Sequence, residues 1–134
     1  MTATYNSAFA EGRRSDPEVV LRVIPMPADA VQDNTISAGW VMSKLDQAGS
    51  VLPARLSGRR FALIAVDKLE FAKPVLLGDI VTFLAFVRKV GITSLSVEVQ
   101  ATTERRDGSE KQVVTSCVMT YVALDECGHA VPIL

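Results

Sequence analysis

The chain has 134 residues, with 14 Lys and Arg against 15 Asp and Glu and a formal net charge of -1. That length suits one domain whose core forms without disulfides or metal, and the near-neutral balance supplies no overall field for nucleic acid or an anionic membrane. Apolar residues make up 49% of the chain, yet no run approaches the roughly 18 residues needed to cross a bilayer, so a soluble protein is expected.

Residues 1–16 mix Ser, Asn, Gly and charges without the apolar core of a secretory signal. They read as a flexible lead-in to a single domain over 17–134, with the cytoplasm as the expected compartment. Residues 19–24 form a β-branched run closed by Pro25 and Pro27, which predicts a first strand ending where amide donors disappear. A loop follows to about Ile36. The one long helical pattern runs from Gly39 to about Leu56 and stops at Ser57-Gly58, where a glycine suits a left-handed cap.

At 100° per residue, Val41, Met42, Leu45, Ala48, Gly49, Val51 and Leu52 share one side of that helix, and Ser43, Asp46, Gln47 and Ser50 the other. Asp46 falls at the border, beside Met42 and Gly49. A carboxylate there can be partly desolvated, and the small residues 48 and 49 leave room for another backbone or a slender ligand. A lone aspartate on an amphipathic helix is ordinarily a solvated surface residue, so support for a functional Asp46 comes from the rest of the chain.

Four strand-like stretches follow, over 60–71, 79–90, 92–104 and 111–124, separated by Pro74, Leu77-Gly78-Asp79, Gly91 and Asp107-Gly108. In the third, Leu95, Val97, Val99 and Ala101 alternate with Ser94, Ser96, Glu98 and Gln100, the pattern of a sheet with one wet face. Short turns predict antiparallel pairing between successive strands. One helix and about five strands bury the helix by curling the sheet around it, an α+β class without internal repeats. Cys117 and Cys127 lack metal-type spacing and read as free thiols. His129 sits in a Gly128-His129-Ala130 tail, with no carboxylate partner expected at useful spacing. Arg105-Arg106 reads as decoration of a hairpin tip. No zinc cluster, phosphate-cradling glycine loop or dinucleotide fingerprint is present, so no metal or other cofactor is implied.

Met26-Pro27-Ala28-Asp29, Ile36 to Gly39, Trp40-Val41-Met42-Ser43-x-x-Asp46-x-Ala48-Gly49, Phe71-x-x-Pro74-Val75-x-x-Gly78-Asp79 and Val90-Gly91-x-Thr93-Ser94 occur together and in order. Together they resemble the YciA-type hot-dog acyl-CoA thioesterases, from about Val20 to Val131, with the block from Trp40 to Gly49 the most specific part. The resemblance implies a hot-dog fold and a homodimer joined through sheet edges, commonly assembled as a trimer of dimers. It implies an acyl-CoA substrate held between one subunit's helix start and the other's acidic residue, which maps onto Asp46. Amides at Ala38 and Gly39 would then donate to the thioester oxygen as it becomes an oxyanion, each well-placed donor contributing roughly 2.7–4 kcal/mol. Asp46 would act as general base or as nucleophile, and the residues leave that choice open. Ser43, one turn before Asp46, and Gln47, the residue after it, are candidates to hold Asp46 or the attacking water.

The departures from the family pattern fall near the chemistry. Relatives usually read Asn-x-x-Gly-x-Ile-Phe-Gly-Gly-Trp before the helix, whereas this chain runs from Val31 through Asn34, Ile36, Ser37, Ala38 and Gly39 to Trp40. The polar residue that orients thioester or water in relatives falls on Val31, for which Asn34 or Asp33 are the candidate substitutes. A slower enzyme, or one with altered acyl preference, is the expected consequence. Substrate contacts are therefore expected from Asn34, Ser37, Trp40, Ser43 and Gln47, with Met42 and Phe71 as further candidates for the acyl channel. Lys73, Arg88 and Lys89 are candidates for the coenzyme A phosphates. Gly91, Thr93 and Ser94 match the turn on the pantetheine side, although Ile92 stands where some relatives carry Arg. A hot-dog protein that binds acyl-CoA and turns it over poorly is the alternative, and a purely structural oligomer the third reading.

Overall fold

A computed structural model describes residues 15–134; the expected lead-in up to residue 14 lies outside them. Ser15 already pairs with Val87, donating its amide to the Val87 carbonyl and accepting the Val87 amide on its hydroxyl. Described pairing thus begins two residues before the expected boundary.

Among the described residues five strands form one sheet: β1 (Glu18–Val23), β2 (Arg60–Phe71), β3 (Ile80–Val90), β4 (Ser94–Glu104) and β5 (Gln112–Leu124). Their order is β1-β3-β4-β5-β2, and every ladder is antiparallel. Pairing of successive strands holds for β3, β4 and β5 and fails for β2. That strand crosses over and lies beside β5, because residues 72–79 form a structured connection rather than a hairpin turn. β2 is consequently an edge strand. It is bulged between Leu63 and Ala65 and again between Asp67 and Glu70, and Lys68 takes a left-handed φ of 60°. Such bulges blunt a free edge against indiscriminate pairing.

Helix α1 (Ala38–Gly49) continues into a short α2 (Val51–Leu56). The predicted single helix is divided at Ser50, since Pro53 has no amide to give the Gly49 carbonyl. Nor does Gly58 form a left-handed cap. Ser57 leaves the helix in an extended conformation, and its hydroxyl ties the exit to the C-terminal segment by donating to the Ile133 carbonyl at 2.8 Å. Val41, Leu45, Ala48, Leu52 and Leu56 are buried against Val81, Phe83, Val97, Val99 and Met119 of the sheet. Met42, placed on the apolar side by the helical wheel, is 45% exposed. The small residues Ala48 and Gly49 admit the protein's own β5. A Cβ on Gly49 would lie 2.6 Å from both the Met119 sulfur and the Tyr121 hydroxyl.

The motifs on either side of the helix are scaffold. Asp29 accepts the Met26 amide on its side chain and the Ser37 amide on its carbonyl. Ile36 donates to Val75, and Leu77 donates to Asn34. The segment leading into α1 is thereby fastened to the connection between β2 and β3. Asp33 and Asn34 both have positive φ, 55° and 59°, which short polar side chains tolerate better than most. At the end of the connection Gly78 is left-handed, with φ 96°. Asp79, 3% exposed, accepts the Leu76 amide and an Arg105 guanidinium N–H at 2.7 Å. Arg105 also reaches Glu110 and so locks this corner, which is more than hairpin decoration.

Candidate active site

The start of α1 is built by Ser37. Its backbone is extended and its hydroxyl accepts the Trp40 amide at 3.1 Å, an N-cap that consumes one of the four orphan donors. The Val41 amide bonds the Ser37 carbonyl at 3.4 Å. Among the described residues the Ala38 and Gly39 amides have no acceptor, and the space where a Gly39 side chain would stand is open. Both residues are exposed. This end of the helix is a donor pair facing outward.

Gly39, Met42, Ser43 and Asp46 lie on one helix face, as 100° per residue requires. They overlook a pocket of about 510 Å³ whose other walls are Leu63, Val66 and Leu69 of β2 and Cys117 and Met119 of β5. The lining is apolar except at the helix, where the Ser43 hydroxyl and Asp46 carboxylate sit. In the single chain Asp46 is exposed rather than desolvated. Seven residues at 1.5 Å each put Gly39 roughly 10 Å from Asp46 along the axis, so one helix cannot present both its first amides and its carboxylate to the same carbonyl group.

Under Asp46 lies Tyr121, 2% exposed, whose hydroxyl donates to the Asp46 backbone carbonyl at 3.5 Å. Burial raises the ionisation range of this phenol, and the Asp46 charge raises it further. Burial likewise pushes the Cys117 thiol up to about 11, with Glu98 adding to the shift. Cys117 is therefore an unreactive thiol in an apolar floor. Cys127 is exposed, and the two form no disulfide.

The other predicted site residues are dispersed. Trp40 is half-buried against the core with the Lys44 ammonium 5.7 Å above its ring. Gln47 points out, its carbonyl accepting the Ser50 hydroxyl, and neither it nor Asn34 lines the pocket. Phe71 is 43% exposed at the end of β2, outside the pocket lining. Arg88 pairs with Glu98 at 3.3 Å. Gly91 and Ser94 close the turn between β3 and β4 by a 2.7 Å amide-to-carbonyl bond, and the Thr93 carbonyl accepts the Ala123 amide. Lys89 aligns through Ser96 and Thr120 with Ala65 of β2, and Lys73 lies eight residues beyond Ala65, roughly 25 Å along the strand direction. The three candidate cations thus do not converge within one chain. His129 does have a carboxylate neighbour, Asp125 at 3.6 Å, which also caps the local turn by accepting the Cys127 and His129 amides.

What the sequence reading missed is the pocket floor and outer wall. Cys117, Met119 and Tyr121 alternate along β5 toward the helix, a period-2 signal that was visible. Leu63, Val66 and Leu69 do not keep that period, because the two bulges shift the register.

Comparison with known proteins agrees with this architecture. The profile of the thioesterase superfamily matches residues 33–109. The acyl-CoA thioester hydrolase YciA of Salmonella typhimurium is 31% identical, with the match covering 87% of this chain and 90% of that protein. A hexameric hot-dog-fold thioesterase of Campylobacter jejuni superposes with a TM-score of 0.80 at 38% identity, covering 87% of this chain and 90% of that one. A hexameric broad-specificity acyl-coenzyme A thioesterase, solved with one aspartate changed to alanine, superposes with a TM-score of 0.82 at 30% identity, covering 87% and 86%. With the helix, the sheet and the matched profile in agreement, this chain belongs to the thioesterase superfamily and has its hot-dog fold.

Proposed function

We propose that the protein hydrolyses acyl-CoA thioesters to a free carboxylic acid and coenzyme A, at a site completed by a second copy of the chain. The observation that carries the reading is Asp46: a carboxylate at the rim of an apolar pocket, on the same helix face as two unpaired amides that lie roughly 10 Å away along the axis, too far to act on the same carbonyl group. A second copy, related by a two-fold axis across the free edge of β2, would bring its own Ala38 and Gly39 amides toward this Asp46 and receive the reciprocal arrangement. The two thioesterases of solved structure named above, both described as hexameric, support a homo-oligomer, and a trimer of such dimers is the assembly proposed here.

As general base, Asp46 takes a proton from water while the water oxygen attacks the thioester carbon. The oxyanion is held by the helix-start amides, the C–S bond breaks, and the leaving thiolate takes up the proton. As nucleophile, Asp46 forms a mixed anhydride with release of the thiolate, and water then cleaves the anhydride. Ser43 is placed beside Asp46 in the pocket to hold the water. Lys73 of one copy and Arg88 or Lys89 of another are proposed to meet the coenzyme A phosphates, with Gly91, Thr93 and Ser94 along the pantetheine arm.

The test is coenzyme A release from short, medium and long acyl-CoAs, quantified by chromatography so that Cys117 and Cys127 do not interfere. A drop of at least a hundredfold in Asp46→Ala, with the fold intact, is the expected result. One observation favours the alternative of an acyl-CoA binder with little turnover: Val31, 60% exposed, stands where a polar orienting group would be useful. Wild-type protein that retains the esters without releasing coenzyme A would establish that alternative.

A further inference from the structure

We propose that the outer face of the sheet carries a second binding site, a trough running from β1 to β5 that takes a small carboxylate with a short apolar tail. The trough encloses about 520 Å³, within the range of roughly 300–1,000 Å³ typical of ligand pockets. It lies on the side of the sheet turned away from α1, and none of its lining belongs to the candidate active site. Two β-bulges build it. Leu21 pairs with the buried Phe83 and Thr115 with the buried Ala101, so by strict alternation Val19 and Val113 would also point to the core. The bulge in β1 between Val19 and Leu21, and the one between β4 and β5 at Ala101 and Thr102, turn both valines outward instead, where they are exposed. Bulges recur where a side chain is re-aimed beside a functional site.

A continuous cross-strand row forms the floor: Arg22 is opposite Thr82, Thr82 opposite Thr102, and Thr102 opposite Val113, roughly 14 Å in all at the spacing of neighbouring strands. Thr82, 8% exposed, accepts the Arg22 Nε–H on its hydroxyl at 2.9 Å, which holds the guanidinium over the trough. Among the described residues the terminal nitrogens of Arg22 have no acceptor, and neither has the Thr82 hydroxyl proton. Two parallel N–H donors with a hydroxyl beside them complement a carboxylate. The Thr102 hydroxyl is turned to the Thr82 carbonyl at 3.3 Å, so no free donor stands between Arg22 and the apolar Val113. Leu84, opposite Val19, flanks the guanidinium. At the far end Lys111 lies 3.7 Å from Glu104; that pair cancels, and Arg22 leaves the lining with a net positive charge. Beyond the trough the outer face is wet, with Ser96, Glu98, Gln100 and Ser116, so the apolar patch has the extent of a small molecule rather than of a second copy. The ligand has the chemistry of the acid that the proposed reaction releases, yet the site stands on its own residues whether or not that reading holds.

Calorimetry with octanoate tests the site on the intact protein. The wild type should bind octanoate, and should bind the uncharged 1-octanol at least about tenfold more weakly, because the alcohol cannot form the charge-assisted pair. Arg22→Gln should lose at least about tenfold in octanoate affinity, and so should Val19→Asp, which sets a like charge beside the bound carboxylate. Both positions are exposed, so circular dichroism and melting of the variants should match the wild type. Octanoate affinity that neither substitution lowers would overturn the proposal and put the acid elsewhere, as in the pocket under α1. Equal affinity for 1-octanol would overturn the role of the guanidinium, and tighter binding of octyl phosphate than of octanoate would overturn the choice of a carboxylate. Wild-type protein that binds no octanoate would also overturn the proposal. If Arg22→Gln then lowers the mass seen by light scattering, the trough is a contact between copies of the chain.

Discussion

The buried Tyr121 hydroxyl donates to the backbone carbonyl of Asp46 at 3.5 Å, tying the helical turn that carries the carboxylate to the C-terminal part of β5. The bond is long, so its loss should cost no more than about 0.5 kcal/mol of stability. Its effect belongs to positioning. Tyr121→Phe should lower kcat several-fold while KM stays nearly constant, and the urea transition should hardly move. Equal kcat values would show that helix packing alone holds Asp46 in place.

The same contact explains why residue 49 is glycine. A methyl at Gly49 would stand 2.6 Å from both the Met119 sulfur and the Tyr121 hydroxyl, closer than any real contact, and both neighbours are 2% exposed and unable to swing away freely. Overpacking of this kind costs about 1–3 kcal/mol, which outweighs the gain of up to about 1 kcal/mol in helix propensity from replacing a glycine. Gly49→Ala should therefore unfold at lower urea. A stabilised variant would mean that β5 yields more readily than its burial suggests.

Much of this was legible before any coordinates. The alternation in β4 and the 3.6-residue pattern of the helix specify an antiparallel sheet packed on one helix, because each repeats a local rule along many residues. Asp46 was legible as a border position for the same reason. The course of β2 was not. Its crossover to β5 depends on the bonds of residues 72–79 to the helix lead-in, and its pocket-facing row is scrambled by two bulges, so neither has a periodic signature. The environment of Asp46 was only half legible, since the wheel puts Met42 on the core side and the structure leaves it exposed at a pocket. Arg105 shows a further limit, because a charge beside a hairpin turn reads as solvated until its buried partner, Asp79, is located.

Ser37 illustrates how a departure from the family pattern can be useful. Its hydroxyl caps α1 through the Trp40 amide, so Ser37→Ala should destabilise the protein by about 1 kcal/mol, whereas Ser37→Gly should cost only a few tenths. Chemical denaturation of the two variants side by side checks the difference. Similar losses in both would assign the role of Ser37 to packing of the lead-in rather than to capping.

The alkaline limb of the stability curve should be governed by the floor of the pocket. Cys117 ionises at about 11 in the fold against an ordinary 9.0, and the Tyr121 phenol is likewise raised above its ordinary 10.0; burial is the main cause for both. In each case the unfolded chain gives up its proton first. Stability is therefore fully present below pH 9.0 and is lost progressively as the pH rises through that value toward about 11, since the folded state then holds more protons than the unfolded one. Melting temperatures across this window should fall for the wild type. Cys117→Ala, although less stable throughout because it vacates core volume, should show a shallower decline, and adding Tyr121→Phe should flatten it further. Parallel curves for all three proteins would mean that other groups drive the alkaline transition and that the thiol and phenol are already solvated when they ionise.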